Sequence, residues 1–291
     1  MVGQVVEWLR PERGGVFVDA TLGLGGHTTA LLEAGADRVI GLDRDPRALE
    51  LAAAPLAPFG PRVTLRHADY RDLDRVLDAL GVATIDGLLV DLGVSSMQLD
   101  EPGRGFSFRR DEPLDMRMDP TAGEPVSALI ARTAEAELAD VIFRFGEERH
   151  SRRIARAIVR ACDAGPIETT GALAAVVRRA MPGRGWQRID PATRTFQALR
   201  IWVNGELDGL DRFLGVAARR LAPGGRLVAI SFHSLEDRIV KHGLRDLSRG
   251  EDAVLRLLTK HPQVAASDEV AGNPRARSAK LRAAERLAGV A

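Results

Sequence analysis

The chain has 291 residues, 45% of them apolar, and its 41 Lys and Arg residues nearly balance its 40 Asp and Glu residues to a formal net charge of +1. The apolar fraction excludes a disordered chain, and no stretch approaches the roughly 20 apolar residues that span a membrane. Residues 1–13 lack the apolar run of a signal peptide, and the single cysteine, Cys162, has no partner for an internal disulfide. We therefore expect a cytoplasmic protein with no membrane partner.

The first hundred residues alternate short apolar runs with helical stretches. The apolar runs are continuous, which is typical of strands buried on both faces of a parallel sheet. Strands and helices that take turns along the chain predict a doubly wound α/β fold. The predicted strands cover residues 15–19, 38–43, 63–67 and 87–91, and the predicted helices cover residues 28–34, 46–54 and 73–80.

The pattern changes at about residue 101, where a polar loop begins that runs to Pro125. The helices predicted after it cover residues 127–143, 149–164, 171–181 and 195–221, and an apolar strand follows at residues 226–231. Apolar residues recur at three- and four-residue spacing along the last helix, which predicts that one stripe of it packs on the sheet. The sequence therefore predicts an α/β domain formed by residues 1–104 and 192–291, with a helical domain, residues 105–191, inserted between them.

A glycine-rich turn follows the first strand, with Gly23, Gly25 and Gly26 before the next helix. Glycine lets the backbone turn sharply and brings its N–H groups close to a ligand. The dinucleotide fingerprint would require a third glycine where Thr28 stands, which disfavours a nicotinamide cofactor. Asp43 ends the second strand, in the position from which a carboxylate binds both hydroxyls of a ribose.

Acidic residues end or follow all four of these strands. The carboxyl ends of parallel strands meet at one edge of the sheet, where ligands of this fold bind, so we expect Asp19, Asp43, Asp69 and Asp91 to lie at that edge. Tyr70 follows Asp69, and its ring is a candidate to stack on an adenine. A nucleoside without a pyrophosphate fits best, and S-adenosylmethionine also carries a sulfonium charge that nearby carboxylates would stabilise.

Seven longer motifs resemble those of one known family, the bacterial ribosomal RNA small subunit methyltransferase H family, and the resemblance runs from about residue 4 to residue 286. The resemblance implies a Rossmann-like class I S-adenosylmethionine methyltransferase sheet. It also implies methylation of the exocyclic N4 of cytidine 1402 in 16S rRNA, near the decoding centre. The motifs are Asp19-Ala-Thr-Leu-Gly-Leu-Gly-Gly-His27, Leu42-Asp-Arg-Asp-Pro46, Asp91-Leu-Gly-Val-Ser-Ser-Met-Gln-Leu-Asp100, Arg104-Gly-Phe-Ser-Phe108, Pro113-Leu-Asp-Met-Arg-Met-Asp-Pro120, Pro191-Ala-Thr-Arg-Thr-Phe-Gln-Ala-Leu-Arg200 and Ser231-Phe-His-Ser-Leu-Glu-Asp-Arg-Ile-Val240.

The same resemblance implies the residues of a cofactor pocket. By it, Asp43 would hold the ribose of S-adenosylmethionine and Tyr70 would stack on its adenine. The remaining implied pocket residues are Gly25, Gly26, His27, Asp91 and Gln98. The generic methyltransferase pattern has a first glycine where Thr21 stands, and the Pro-Pro-Tyr motif of many DNA amino-methyltransferases is replaced by Leu92-Gly93-Val94.

Two residues are candidates for the catalytic step. The amino group of cytosine is a poor nucleophile, because its lone pair is delocalised into the ring, and a hydrogen-bond acceptor would favour its attack. Asp91, or a carbonyl group of Leu92-Gly93, is the predicted acceptor, and a role for Asp91 in cofactor contact alone is an open alternative. His233 is the second candidate, as a proton relay or as a structural histidine. No other histidine has metal-ligand spacing, so we expect no metal.

Arginine-rich segments favour an RNA partner, here 16S rRNA in the small ribosomal subunit. The predicted helix 149–164 carries one arginine face, although such faces are also common on solvated helices. Further arginines lie in residues 178–200 and in the tail 275–286, and Trp186 and Trp202 are candidates to stack on a base or to pack internally. The arginines of the helix face are Arg149, Arg152, Arg153, Arg156 and Arg160.

The sequence leaves other functions open. A methyltransferase that acts on another RNA, on DNA or on a protein would share the cofactor site, and a non-catalytic ribosome-assembly protein would share the RNA-binding surfaces. Whether the chain forms a homodimer is likewise open.

Overall fold

The computed structural model of the protein describes residues 1–181 and 190–289. The strands in these residues are β1 Val16–Asp19, β2 Arg38–Asp43, β3 Val63–His67, β4 Ile85–Asp91, β5 Leu221–Ser231, β6 Leu255–Leu257, β7 Gln263–Val264 and β8 Lys280–Arg286. The α-helices are α1 Val2–Leu9, α2 Gly26–Glu33, α3 Pro46–Leu56, α4 Leu73–Ala79, α5 Ser96–Asp100, α6 Val126–Arg132, α7 Glu135–Gly146, α8 Ser151–Ala164, α9 Thr170–Ala180, α10 Ala192–Asn204, α11 Leu210–Arg220, α12 Ser234–Asp246 and α13 Ser267–Gly272. Within the described residues, no helix combines the length and the apolar character needed to cross a bilayer.

The chain forms two compact units. The first unit contains Met1–Gly93 and Leu207–Ala291, and the second contains Val94–Glu206. The second unit therefore begins before residue 105 and ends after residue 191, the boundaries predicted from the sequence. The difference arises because helices α5 and α10, which the prediction gave to the sheet domain, belong to the helical unit, where α10 packs against α7.

The first unit is built on one sheet with the strand order β3-β2-β1-β4-β5-β8-β6, and β7 pairs with β8. Strands β1 to β5 are parallel, and β8 runs antiparallel to β5. This arrangement confirms the doubly wound α/β fold. Asp19, Asp43 and Asp91 are the last residues of β1, β2 and β4, so all three lie at the carboxyl edge of the sheet.

The central strands are buried on both faces, as their continuous apolar runs predict. In β4, Leu88 and Val90 point into one core cluster, while Leu89 points into the cluster on the opposite face. In β1, Val18 and Phe17 divide in the same way. Full burial of one such side chain contributes about 1.5–3 kcal/mol, so these strands hold the carboxyl edge in place.

The single helix predicted over residues 195–221 is wrong, because the chain forms α10 and α11 there instead. Gly205 and Gly209 have φ values of 55° and 67°, in the left-handed region that ends a right-handed helix. The apolar stripe is also divided between the two units. Phe196 of α10 packs in the core of the helical unit, and Leu214 of α11 packs against the sheet.

The core of the second unit is formed by its helices and by the polar loop before them. Ile154, Ala155 and Ile158 of α8 are fully buried in it, and Trp202 packs at its edge, as does Cys162. Burial raises the pKa of the Cys162 thiol. The position of Cys162 and Trp202 at the edge of this core agrees with a packing role for both residues. The helix predicted over residues 127–143 is two helices, α6 and α7, which are separated at Thr133 and Ala134.

Candidate active site

The glycine-rich turn lies between the end of β1 and the start of α2. Gly25 has a φ of 81°, and a Cβ atom there would come within 2.9 Å of Leu56 Cδ1, so this position requires glycine. Helix α2 begins without a side-chain cap, and a Cβ atom added at Gly26 would meet no atom within 4 Å. The start of this helix therefore presents free N–H groups to an open space, which suits a polar ligand.

Asp19 is fully buried and holds the turn together. Its Oδ2 accepts a hydrogen bond from Thr28 Oγ1 at 2.9 Å, and its Oδ1 accepts one from the Thr21 N–H at 3.3 Å. Burial raises the pKa of Asp19 and outweighs the opposing effects of His27 and of these hydrogen bonds. Because Asp19 is fully buried and both of its oxygens accept hydrogen bonds from the turn, we assign it a structural role in holding the turn.

Thr21 connects the turn to the end of β4. Its hydroxyl accepts a hydrogen bond of 2.6 Å from the backbone N–H of Asp91, 70 residues further along the chain. Sequence reasoning did not assign this role. The signal for it was the threonine itself, which stands where the generic methyltransferase pattern has glycine.

Asp91 and His27 form the central pair of the site. His27 Nε2 lies 3.4 Å from Asp91 Oδ2, while His27 Nδ1 and Asp91 Oδ1 are buried without a hydrogen-bond partner among the described residues. Burial alone would lower the pKa of His27, but the hydrogen bond and the charge of Asp91 outweigh it, and the pKa is raised. The structure thus brings together two residues that the sequence nominated separately, and each keeps one polar atom for a ligand.

Asp43 lies at the next strand end and faces the same turn. Its two carboxylate oxygens accept hydrogen bonds of 2.8 Å from the N–H groups of Gly23 and Asp45. Burial raises the pKa of Asp43 to about 6, although these hydrogen bonds lower it. Each carboxylate oxygen can accept more than one hydrogen bond, so Asp43 retains capacity for the hydroxyls of a ribose.

The third acid of the predicted edge has a different role. Asp69 follows β3 and pairs with Arg71 at 2.8 Å and with Arg44 at 3.5 Å. Burial opposes ionisation of Asp69, but the two arginines outweigh it and lower its pKa. Asp69 follows β3 as predicted, but its charge is already neutralised by the two arginines.

Tyr70 lies in the core beside this edge, with 9% of its surface exposed. Its ring packs against Phe213 of α11, with 4.8 Å between the ring centres. This contact holds the ring in one orientation. The stacking of Tyr70 on an adenine stays a prediction.

Gln98 lies in the second unit and has a local partner. Its side-chain Oε1 accepts from the Ser95 N–H at 2.9 Å, and the Gln98 N–H donates to Ser95 Oγ at 3.2 Å, which forms a capping box at the start of α5. The side chain is buried, with 5% of the residue exposed. A pocket role for Gln98 stays a prediction.

His233 caps the start of α12. Its Nδ1 accepts from the Glu236 N–H at 3.4 Å, and the Glu236 carboxylate accepts from the Phe232 N–H at 2.9 Å. His233 Nε2 also lies 3.1 Å from Glu236 Oε1. These contacts show a structural role for His233, but its Nε2 is buried without a hydrogen-bond partner among the described residues, and a proton relay by His233 stays a prediction.

Comparison with known proteins gives this site its chemistry, because residues 1–287 match the model of the MraW methylase family. The chain belongs to that family. A relative from Sorangium cellulosum is 58% identical over 286 residues, which cover 98% of this chain and 89% of the relative. A relative from Nitratidesulfovibrio vulgaris strain DP4 is 52% identical and covers 99% and 94%, and one from Bradyrhizobium diazoefficiens is 50% identical and covers 99% and 91%. All three are named ribosomal RNA small subunit methyltransferase H.

Membership of the MraW methylase family confirms three predictions made from the sequence. The chain is a methyltransferase, its methyl donor is S-adenosylmethionine, and its sheet is of the Rossmann-like class I type.

The residues present also fit this donor. Asp43 offers a carboxylate suited to ribose hydroxyls, the start of α2 is open, and Asp91 offers a carboxylate oxygen without a partner to a cationic or amine ligand. When bound, the donor supplies an activated methyl group on a positively charged sulfur.

Proposed function

We propose that this enzyme methylates the exocyclic N4 of a cytidine in the 16S rRNA of the small ribosomal subunit, the cytidine at position 1402 near the decoding centre. The observation that carries the proposal is the free Oδ1 of Asp91, which lies buried at the carboxyl edge beside the open glycine turn. The names of the relatives support the substrate class. A ribosomal substrate of this kind is found in the cytoplasm, where we expect the enzyme to act.

The chemistry assigns Asp91 the acceptor role. The Asp91 carboxylate accepts a hydrogen bond from the N4 amino group, which draws the nitrogen lone pair out of conjugation with the ring. The bound donor would supply its methyl group to N4, and its sulfur would keep the electron pair of the carbon–sulfur bond. The methylated nitrogen passes its extra proton to Asp91 Oδ1 or to solvent.

His27 positions Asp91 for this step. Its Nε2 engages Oδ2 of Asp91, and the Thr21 hydroxyl holds the Asp91 backbone, so that Oδ1 remains available to the substrate. A hydrogen bond at each end of one residue leaves it little rotational freedom, and positioning within a fraction of an ångström is what makes such an acceptor effective.

Two alternatives make different predictions. If Asp91 contacts only the donor, a backbone carbonyl of Leu92 or Gly93 accepts from N4, and loss of the Asp91 charge changes cofactor affinity more than turnover. If the substrate is DNA or protein, the cofactor site is unchanged but ribosomal RNA is not methylated.

Methyl transfer to purified small subunits tests the proposal. Subunits from a strain that lacks this activity are incubated with the enzyme and S-adenosylmethionine, and their nucleosides are separated and weighed by mass spectrometry. We expect N4-methylated cytidine in this sample and no further gain in subunits from a strain that carries the activity, because their site is already modified. A sample without methylated cytidine contradicts the proposed substrate.

A further inference from the structure

Two of the three arginine-rich segments of the sequence are partly occupied by internal contacts. In the tail, Lys280 and Arg282 pair with Asp237 at 3.1 and 2.8 Å. In residues 178–200, Arg178 pairs with Asp190 and Arg200 pairs with Glu206, each at 2.8 Å. Three further members of this segment, Arg184, Trp186 and Arg188, lie outside the described residues.

Helix α8 is different, because its arginines face solvent. Its apolar side is buried in the helical core, and the four arginines of its other side are exposed, as is Arg149, which lies two residues before the helix begins. Arg156 pairs with Glu135 at 3.2 Å. The other four form no ion pair within residues 1–181 and 190–289, and they are Arg149, Arg152, Arg153 and Arg160.

The spacing of these four arginines suits a nucleic-acid backbone. At 100° and 1.5 Å per residue, the three that lie in α8, Arg152, Arg153 and Arg160, fall in one sector about 100° wide and extend about 12 Å along the helix axis, and Arg149 precedes the helix. That length spans several successive phosphates of an RNA strand. A guanidinium without an internal partner can bind phosphate without first breaking an ion pair, so the cost of binding is low.

An exposed aromatic ring belongs to α7, the helix that precedes these arginines in the chain. Phe143 is 57% exposed, and it is the sole aromatic among the exposed large apolar residues of the described chain. It lies in the last turn of α7, at the end of the α7–α8 hairpin where Arg149, Arg152 and Arg153 are found. Neighbouring Phe145 is half-buried, and its ring contacts the Arg144 guanidinium at 5.5 Å. An exposed phenylalanine that is close in the chain to unpaired arginines is a candidate to stack on an unpaired base.

We propose that the exposed face of α8, together with Arg149 and Phe143, binds an unpaired segment of the substrate rRNA. The four unpaired arginines hold the phosphates, and Phe143 stacks on one base. This inference rests on the proposed function and adds the surface by which the enzyme holds its substrate.

A charge-matched pair of variants tests the arginine contacts. The first variant carries R149Q, R152Q, R153Q and R160Q. The control carries R212Q, R219Q, K241Q and R249Q, which removes the same charge from exposed positions of the first unit that form no ion pair in the described chain. Calorimetric binding of S-adenosylhomocysteine to both variants shows whether the fold and the cofactor site are intact.

The readout is equilibrium binding of a 16S rRNA fragment and of whole small subunits at several salt concentrations. We expect the α8 variant to bind both at least tenfold more weakly than the control. Its plot of log affinity against log salt should be shallower by about 3, since each single-strand phosphate contact contributes about 0.7. Equal affinities and slopes for the two variants overturn the proposal. An effect on subunits but not on the RNA fragment also overturns it, because the partner would then be a ribosomal protein.

Phe143 is tested separately. We expect F143A to weaken binding about tenfold with an unchanged salt slope, and F143W to retain binding, because the tryptophan ring also stacks. Equal affinities of F143A and the unchanged protein overturn the stacking contact. These experiments measure RNA binding, so they test the proposed surface whether or not small subunits are methylated. Absence of methylation would contradict the proposed function and not the proposed binding surface.

Discussion

The imidazole of His27 lies 3.4 Å from the carboxylate of Asp91, and each of the two side chains keeps one buried polar atom without a partner among the described residues. Buried polar groups are nearly always hydrogen-bonded, so we expect a ligand to complete the hydrogen bonding of these two atoms. The pair joins the glycine turn to the end of β4. It therefore links the glycine turn, where we expect the cofactor, with Asp91, where we expect the amino group of the substrate.

Replacement of Asp91 by Asn tests the acceptor role. The amide keeps the size of the side chain but loses the charge and the ability to take a proton, so we expect the single-turnover rate of methyl transfer to fall by about 10²-fold or more. The affinity for S-adenosylhomocysteine should change by less than about threefold. Asp86→Asn is the control, since Asp86 is on the same strand and binds the Val16 N–H instead. A normal rate in Asp91→Asn would assign the acceptor role to a backbone carbonyl.

The pH dependence of stability tests the His27–Asp91 pair. The pKa of His27 is raised in the folded state, so the pair stabilises the fold fully below the ordinary histidine pKa of about 6.5 and loses this effect as the pH rises through the folded value. Urea unfolding should therefore show that His27→Gln is most destabilised, relative to the unchanged protein, at about pH 6. A difference independent of pH would contradict an ionised pair. In Asp91→Asn, NMR titration should show a lower His27 pKa, because burial then dominates.

The raised pKa of Asp43 predicts pH-dependent cofactor binding. With a pKa of about 6 in the free enzyme, the carboxyl is mostly ionised at pH 7.5 and mostly protonated at pH 5. Ribose hydroxyls donate to the ionised form, so binding lowers the pKa and releases a proton near pH 6. The dissociation constant of S-adenosylhomocysteine should rise below pH 6 by up to tenfold per pH unit.

Asp43→Asn provides the control for this titration. It should bind S-adenosylhomocysteine more weakly at pH 7.5 and lose the dependence between pH 5 and 7. Calorimetry in buffers of different ionisation enthalpy measures the released proton directly. Equal pH profiles for Asp43→Asn and the unchanged protein would attribute the titration to another group.

Thr21→Val tests the link between the glycine turn and β4. Valine has nearly the shape of threonine but cannot accept from the Asp91 N–H, and an unsatisfied donor of this kind costs about 1–3 kcal/mol. We expect a loss of that size in the free energy of unfolding, measured in denaturant, together with slower methyl transfer. Thr21→Ser restores the hydroxyl and should recover most of both. If Ser and Val behave alike, packing of the methyl group and not the hydrogen bond holds the turn.

Much of the fold follows from local patterns in the sequence. Strands β1, β2, β3 and β4 lie within about two residues of the predicted ranges, because continuous apolar runs indicate strands. The predicted burial on both faces is wrong for β3, which is an edge strand with no buried residue. The break between α10 and α11 was missed, although Gly205 and Gly209 were visible, because the apolar spacing continues across it. Only the backbone conformation of these glycines ends the first helix and sends its apolar residues to a different core.

By itself, the sequence determined the order of strands and helices, the glycine turn, the acids at the strand ends and the family resemblance. The tertiary structure decided which of those groups are free to act. Asp19 is fully buried and accepts from Thr28 and Thr21, the charge of Asp69 is neutralised by arginines, and Asp91 keeps one oxygen without a partner among the described residues. Arginines show the same contrast: Arg282 of the tail is paired with Asp237, whereas Arg152, Arg153 and Arg160 of α8 have no ion pair among the described residues. The physical reason is that the availability of a charged group depends on its partners, which are often distant in the chain. Thr21 and Asp91, for example, are 70 residues apart. Local periodicity carries no information about such partners.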